Sequence, residues 1–314
     1  MQQQYLTEWE RYCQLNDGYG FQGTLFFQNM GNDLDPWVGA QELLHNTNKL
    51  SPFVAVNPAY THPYAIAMKI LNLSRLYRRR IYLNFIAGTS ISEMESLGVM
   101  LDHSRRYDRL VEYIEIIQEL LRSSVPLTYN GQSYRVKNLA LPYALDKDLF
   151  PQIFIAGGSA EAEQARLRTG AGSITMARPL RECIKNGSGA NVIHFGIIAA
   201  PTTDEARRMM SVEFCMPDFD GSELLELSML NTDAAWKQQL KGEVEDEIYR
   251  LEPFRFFNAD CPYLVGSYSE VAAYLQKYIS MDVNAFIIEA SEKTLPAVDI
   301  VLRQLKELVS QTIK

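Results

Sequence analysis

The chain has 314 residues, 47% of them hydrophobic and 22% charged, and a formal net charge of −8. That composition is ordinary for a globular enzyme and the length allows one large α/β domain or two ordinary ones, while the acidic balance argues against general affinity for nucleic acid or anionic membranes. No apolar run approaches the roughly 18 residues of a membrane span, and the polar start Met1 to Glu8 does not read as a signal peptide.

Gln3 to Leu15 reads as a helix and Gly18 to Gly23 as a turn region. Thr24 to Gln28 is a short apolar strand ending in N-M-G-N-D, and a helix opens near Asp35-Pro36, where proline suits the first turn. Leu50 to Val56 is the next strand, and Thr61-His62-Pro63 opens a helix to about Tyr77 with a basic end at Arg75 and Arg78 to Arg80. Ile81 to Ala87 reads as a strand buried on both faces and stops at Gly88. A longer helix follows, with Asp102 as N-cap and Tyr107, Leu110, Val111, Ile114, Ile117 and Leu121 in one apolar stripe. His103 and Tyr107 share a face of its first turns, where free N–H groups and the helix dipole favour an anion.

Asn130-Gly131 between alternating runs is a hairpin signal. Gln152 to Ala156 is another buried strand; Gly157-Gly158-Ser159 leads into a helix that stops at Gly170. Ser173 to Met176 is a strand, Pro179 to Lys185 a helix, and Asn191 to Ala200 a longer strand, after which Thr203 caps the next helix. Phe214 to Asn258 reads as an insertion of helices, the kind of segment that often covers a site. Tyr263 to Val265 precedes a helix from Ser269 to Ile279, Ala285 to Ile288 is the last strand, and Leu295 to Leu308 the last helix.

This alternation predicts right-handed crossovers in a parallel sheet. The fold class expected is α/β, a (β/α)8 TIM-type barrel in a single domain over residues 1–314. It has a helical insertion (about 214–258) before the last strand and a first strand that is missing or atypical. Cys13, Cys183, Cys215 and Cys261 form no C-x-x-C pair, so a reducing, cytoplasmic setting is expected. The four histidines, His45, His62, His103 and His194, form no H-E-x-x-H, and no metal site is expected. No Walker A, G-x-G-x-x-G or G-x-S-x-G motif occurs.

Six short motifs lie in order along the chain: D-P-W-V-G-A at Asp35 to Ala40, N-F-I-A-G at Asn84 to Gly88, L-D-H-S-R-R-Y at Leu101 to Tyr107, N-G-Q-S-Y-R-V-K at Asn130 to Lys137, F-I-A-G-G-S-A-E-A at Phe154 to Ala162, and L-V-G-S-Y-S-E-V at Leu264 to Val271. Together they resemble the bacterial-luciferase-like, flavin-dependent monooxygenases, most of all the alkanesulfonate and aminopolycarboxylate branch. The resemblance implies reduced FMN, supplied by a separate flavin reductase, and O2 oxidising a small organic substrate, in a protein that is usually a homodimer. It places Ala87 and Gly88 near the flavin and His103, Tyr107, Gly158 and Ser159 at its phosphate, with Asn29 at a strand end beside the site. Arg178 or Arg255 could hold an anionic substrate. At the branch's catalytic histidine on the seventh strand this chain has Gly196, so His194, on the same strand face, is the candidate catalytic residue. The branch's tyrosine after the last strand aligns with Ser291, and its cysteine after the second strand is replaced. A deazaflavin-dependent oxidoreductase of the same fold and a non-catalytic flavin-binding subunit are the alternatives.

Overall fold

Apolar strand runs ending in glycine or a polar turn, most of them followed by an amphipathic helix, give a βα succession interrupted by the hairpin of residues 127–139. The protein is described by a computed structural model covering residues 2–28, 34–88, 90–186, 192–214, 232, 245–255 and 259–312. Contacts group the chain into two units, Met1–Gly172 and Ser173–Lys314.

The first unit runs α1 (Gln2–Gly18), β1 (Gly23–Phe26), α2 (Pro36–Asn46), β2 (Ser51–Val56), α3 (Pro63–Tyr77), β3 (Tyr82–Phe85), α4 (Ile91–Ser96), α5 (His103–Arg122), the hairpin β4 (Leu127–Asn130) and β5 (Arg135–Leu139), β6 (Gln152–Ala156) and α6 (Ala160–Thr169). Strands β1, β2, β3 and β6 are hydrogen-bonded neighbours in that order, all parallel. Their two faces bury different chemistry. Leu83, Phe85, Ile153 and Ile155 join the helix stripe Leu110, Val111, Ile114, Ile117 and Leu121 in the main core. Phe53 packs edge-on to Tyr82 and tilted against Phe154, with ring centroids 6.1 and 5.4 Å away. Burial on both faces is why these strands carry apolar runs instead of alternation.

The second unit runs β7 (Gly172–Met176), α7 (Leu180–Asn186), β8 (Val192–Ala200), α8 (Thr203–Glu213), β9 (Tyr249–Arg250), α9 (Glu252–Arg255), β10 (Tyr263–Ser267), α10 (Tyr268–Ile279), β11 (Ala285–Glu289) and α11 (Leu295–Thr312). Strand β8 organises it. Its first half pairs in parallel with β7 and with β11, ending at Glu289↔Gly196. Its second half pairs in parallel with β10, starting at Tyr263↔Gly196. Strand β9 runs antiparallel to β10.

Two sequence expectations change here. The cap of α8 is Thr202, not Thr203: its hydroxyl accepts from the Glu205 N–H and the Glu205 carboxylate accepts from the Thr202 N–H, a reciprocal pairing that needs a spacing of three. The expected helical insertion (214–258) lies largely outside the described residues, and its described end, 245–255, contains the strand β9 as well as the short α9. The alternating elements and parallel pairing otherwise match the expected α/β class, and among the described residues no helix is long and apolar enough to cross a membrane.

The hairpin is held by a buried carboxylate. Glu112 of α5 accepts backbone N–H bonds from Gln132 (2.7 Å), Ser133 (2.9 Å) and Tyr134 (2.9 Å). Gly131 is required there, because a Cβ would stand 2.3 Å from Glu112 Oε2. Glu112→Ala leaves those N–H groups without their charged acceptor and should cost about 2 kcal/mol, measured as a shift of the urea midpoint. Glu112→Gln, which keeps one oxygen, should lose less.

Candidate active site

The starts of two helices meet in the first unit. Asp102 caps α5, its Oδ1 accepting from the Arg105 N–H at 2.9 Å. Ser159 caps α6, its Oγ accepting from the Ala162 N–H at 3.2 Å. His103, the first residue of α5, places Nε2 3.3 Å from Ser159 Oγ. Tyr107, one turn on, lies with its ring centroid 5.2 Å from that of His103 and donates its hydroxyl to the Ala156 carbonyl at 3.2 Å. Two dipole ends and an imidazole thus converge where β6 hands over to α6, which is the chemistry of an anion site.

The backbone is shaped to let the tyrosine in. Gly157 takes φ +117°, and a Cβ there would meet Tyr107 Oη at 2.6 Å. Its carbonyl accepts from Arg166 Nη1 at 2.9 Å, and Gly158 beside it is exposed. The anion nearest this corner is the protein's own: Glu161 lies 3.6 Å from His103 Nε2. Its pKa is lowered by its own backbone N–H and then by the Ser159 hydroxyl.

The family model for luciferase-like monooxygenases matches residues 1–282. The chain belongs to this family. It is 30% identical over 289 residues to the 4-(gamma-L-glutamylamino)butanoyl-[BtrI acyl-carrier protein] monooxygenase BtrO of Niallia circulans, covering 88% of this chain and 84% of that protein. Among solved structures it superposes on riboflavin lyase (RcaE) with a TM-score of 0.77 at 18% identity, covering 98% of this chain and 85% of that one. It superposes on EDTA monooxygenase (EmoA) from Chelativorans sp. BNC1 with a TM-score of 0.72 at 16% identity, covering 98% and 87%. The α/β fold with its mainly parallel sheet is therefore that of a family whose solved neighbours are of the TIM-barrel type, and the reaction class is that of an oxygen-incorporating oxidoreductase.

Of the residues the sequence selected, this luciferase-like monooxygenase brings His103, Tyr107 and Ser159 together, with Gly158 next in chain. Ala87 and Gly88 follow β3, the parallel neighbour of β6, in which Phe85 stands opposite Ile155; Gly88 takes φ +86°, and a Cβ there would meet Met94 Sδ at 2.5 Å and Asn57 Nδ2 at 3.3 Å. Asn29 lies outside the described residues.

His194 belongs to a separate cluster in the second unit. It lies on β8 with its ligand atom close to those of Cys261 and Glu289. Burial pushes its pKa down to about 4, so it stands as a neutral imidazole at pH 7, a weak proton store but a ready lone-pair donor. Glu289 accepts from Cys261 Sγ at 3.1 Å and from the Tyr263 hydroxyl at 2.9 Å. Burial, and then the Glu289 charge, push the Cys261 thiol and the Tyr263 phenol up. Gly196 makes this possible: the Tyr263 ring lies where a side chain on residue 196 would stand, a Cβ there being 2.2 Å from ring atoms.

Of the two candidate substrate arginines, Arg255 lies 3.9 Å from the Glu245 carboxylate. Arg178 lies on a loop whose backbone is held by three phenols. Tyr278 donates to the Arg178 carbonyl, Tyr249 to that of Ala177 at 3.0 Å, and Tyr274 accepts from the Leu180 N–H at 3.1 Å. Sequence reasoning missed Cys261, Tyr263 and Glu289 because their partnership exists only across strands. The one local signal was Cys261-Pro262-Tyr263 placed just before the L-V-G-S motif.

Proposed function

We propose that the protein is an FMN-dependent monooxygenase whose first unit holds the cofactor's phosphate at His103, Tyr107 and Ser159. The observation that carries this reading is the 3.3 Å approach of His103 Nε2 to Ser159 Oγ, which joins the N-terminal ends of α5 and α6 at one point. The residues fit a phosphate. Ser159 Oγ and the first N–H groups of α6 offer hydrogen bonds, the imidazole offers a further donor, and the side-chain-free Gly157–Gly158 backbone permits close approach. Glu161 would turn away from this corner toward solvent as the phosphate arrives.

When bound, the reduced flavin supplies the activation of O2 for transfer of one oxygen atom to a small organic substrate. The chain's own part is to bind and orient. Tyr107, tied to the Ala156 carbonyl, fixes the end of β6, and the two helix starts would anchor the phosphate there. Reduction by a separate flavin reductase, with FMN arriving by diffusion, is what the family resemblance implies. A single domain spanning residues 1–314, a homodimer and a cytoplasmic location complete the proposal.

The test is an anaerobic titration with reduced and with oxidised FMN. The reduced form should bind more tightly, and His103→Ala and Ser159→Ala should each weaken it by about tenfold, the effect of one hydrogen bond to a charged group. Unchanged affinity in both variants would overturn the phosphate assignment. Binding of a reduced deazaflavin in preference to FMN would replace oxygen transfer by hydride transfer.

A further inference from the structure

Three donors of unlike chemistry meet in the second unit, brought together from separate parts of the chain. His194 sits on β8, Cys261 lies two residues before β10 and Glu289 ends β11. Each offers one ligand atom, and these atoms all lie within 4.8 Å of one another. Cys261 is fully buried, and its Sγ is 3.1 Å from Glu289 Oε2. We infer that this cluster is a binding site for one divalent cation of the zinc class.

The donor set selects the ion. A thiolate and an imidazole disfavour magnesium and calcium, which take oxygen ligands, and suit zinc, for which nitrogen, sulfur and carboxylate oxygen are the usual partners. Charge points the same way. One thiolate, one carboxylate and one neutral imidazole carry two negative charges, so a divalent ion leaves the site neutral, which is the condition for burying a charge at modest cost. On binding, the ion replaces the thiol proton, which leaves to solvent, and the S–H···O contact gives way to one bond from the ion to sulfur and one to the carboxylate oxygen.

The scaffold is rigid where a site needs it to be. Strand β8 is hydrogen-bonded to both β10 and β11, so all three ligands are referred to one strand. The other carboxylate oxygen of Glu289 accepts from the Tyr263 hydroxyl at 2.9 Å, the outer hydrogen bond that orients a ligating carboxylate. In a tetrahedral site, bonds of about 2.0–2.3 Å put neighbouring ligand atoms roughly 3.3–3.8 Å apart. The Cys261–Glu289 separation is already in that neighbourhood. The imidazole closes the remainder by a side-chain adjustment of about 1 Å, with no strand displacement. Three protein ligands leave one tetrahedral position for water or for a substrate oxygen. The inference rests on the second unit alone and stands or falls independently of the FMN assignment.

The experiment adds Co2+ to the purified full-length chain after chelator treatment and dialysis, and follows the spectrum. The expected result is one equivalent bound, with a sulfur-to-cobalt charge-transfer band in the near ultraviolet and intense visible bands of a tetrahedral ion, both displaced by Zn2+. Cys261→Ser should lose the charge-transfer band, and His194→Gln and Glu289→Gln should each weaken binding by at least about tenfold. Absence of the band in the wild-type chain overturns the site. So does an unchanged band in Cys261→Ser, which would assign it to another cysteine. The near-isosteric Glu289→Gln serves as the second probe should Cys261→Ser fail to fold, and unchanged cobalt affinity in it counts against the site.

Discussion

Gly157→Ala should reduce the affinity for reduced FMN by roughly a hundredfold, the largest single effect expected on cofactor binding. Two causes act together. At φ +117° an L side chain is strained, costing on the order of 1–3 kcal/mol. The new methyl would also stand 2.6 Å from Tyr107 Oη, displacing the phenol from the Ala156 carbonyl and with it the corner where α5 and α6 meet. Isothermal titration under anaerobic conditions reads the affinity, and thermal melting of the same sample separates a local from a global effect. The neighbouring Gly158, exposed, should tolerate alanine with a much smaller loss. Full-strength FMN binding by Gly157→Ala would mean that the phosphate is held elsewhere.

Gly196→Ala carries the largest expected cost in stability. The added Cβ would lie 2.2 Å from Tyr263 Cε1 and Cζ, too close for any real contact. The ring has little room to give: it is 6% exposed, packs edge-on to Phe214 at 4.9 Å and donates to Glu289. Overpacking of this kind costs about 1–3 kcal/mol, and loss of the phenol's hydrogen bond to a charged acceptor adds to it. The measurement is chemical denaturation of Gly196→Ala beside Gly196→Ala/Tyr263→Leu. Removing the phenol should return part of the loss if the clash is the cause. Equal losses in the single and double variants would place the cost elsewhere.

The sequence was readable where local physics decides. Asp102 was legible as a cap, since a short polar side chain before an apolar helical stripe has few other uses, and it accepts a helix N–H bond as expected. Gly170 ends α6 in the left-handed region, and the Asn130-Gly131 signal corresponds to a hairpin. His103, Tyr107 and Ser159 could be grouped only through family resemblance, because spacing gives a shared helix face but not the second helix that completes the corner. What failed to show was non-local. Glu112 is an unremarked carboxylate in a helix until the hairpin folds onto it. His194 looked solitary because Cys261 and Glu289 are distant in the chain. Thr202 was passed over by one position because Thr203 is an equally good cap by type, and only the reach to Glu205 separates them.

The loop after β7 has a consequence in the entropy of ligand capture. Phenols from Tyr249 and Tyr278 occupy the Ala177 and Arg178 carbonyls, and Tyr274, itself donating to Asp246 at 2.6 Å, takes the Leu180 N–H. A surface loop normally surrenders about 1–2 kcal/mol of backbone freedom for each residue it orders around a ligand. Here the later part of the chain has already imposed that order, so the backbone around Arg178 has little freedom left to lose to any ligand held there. Changes to the three buried tyrosines should therefore be felt first as restored motion of this backbone.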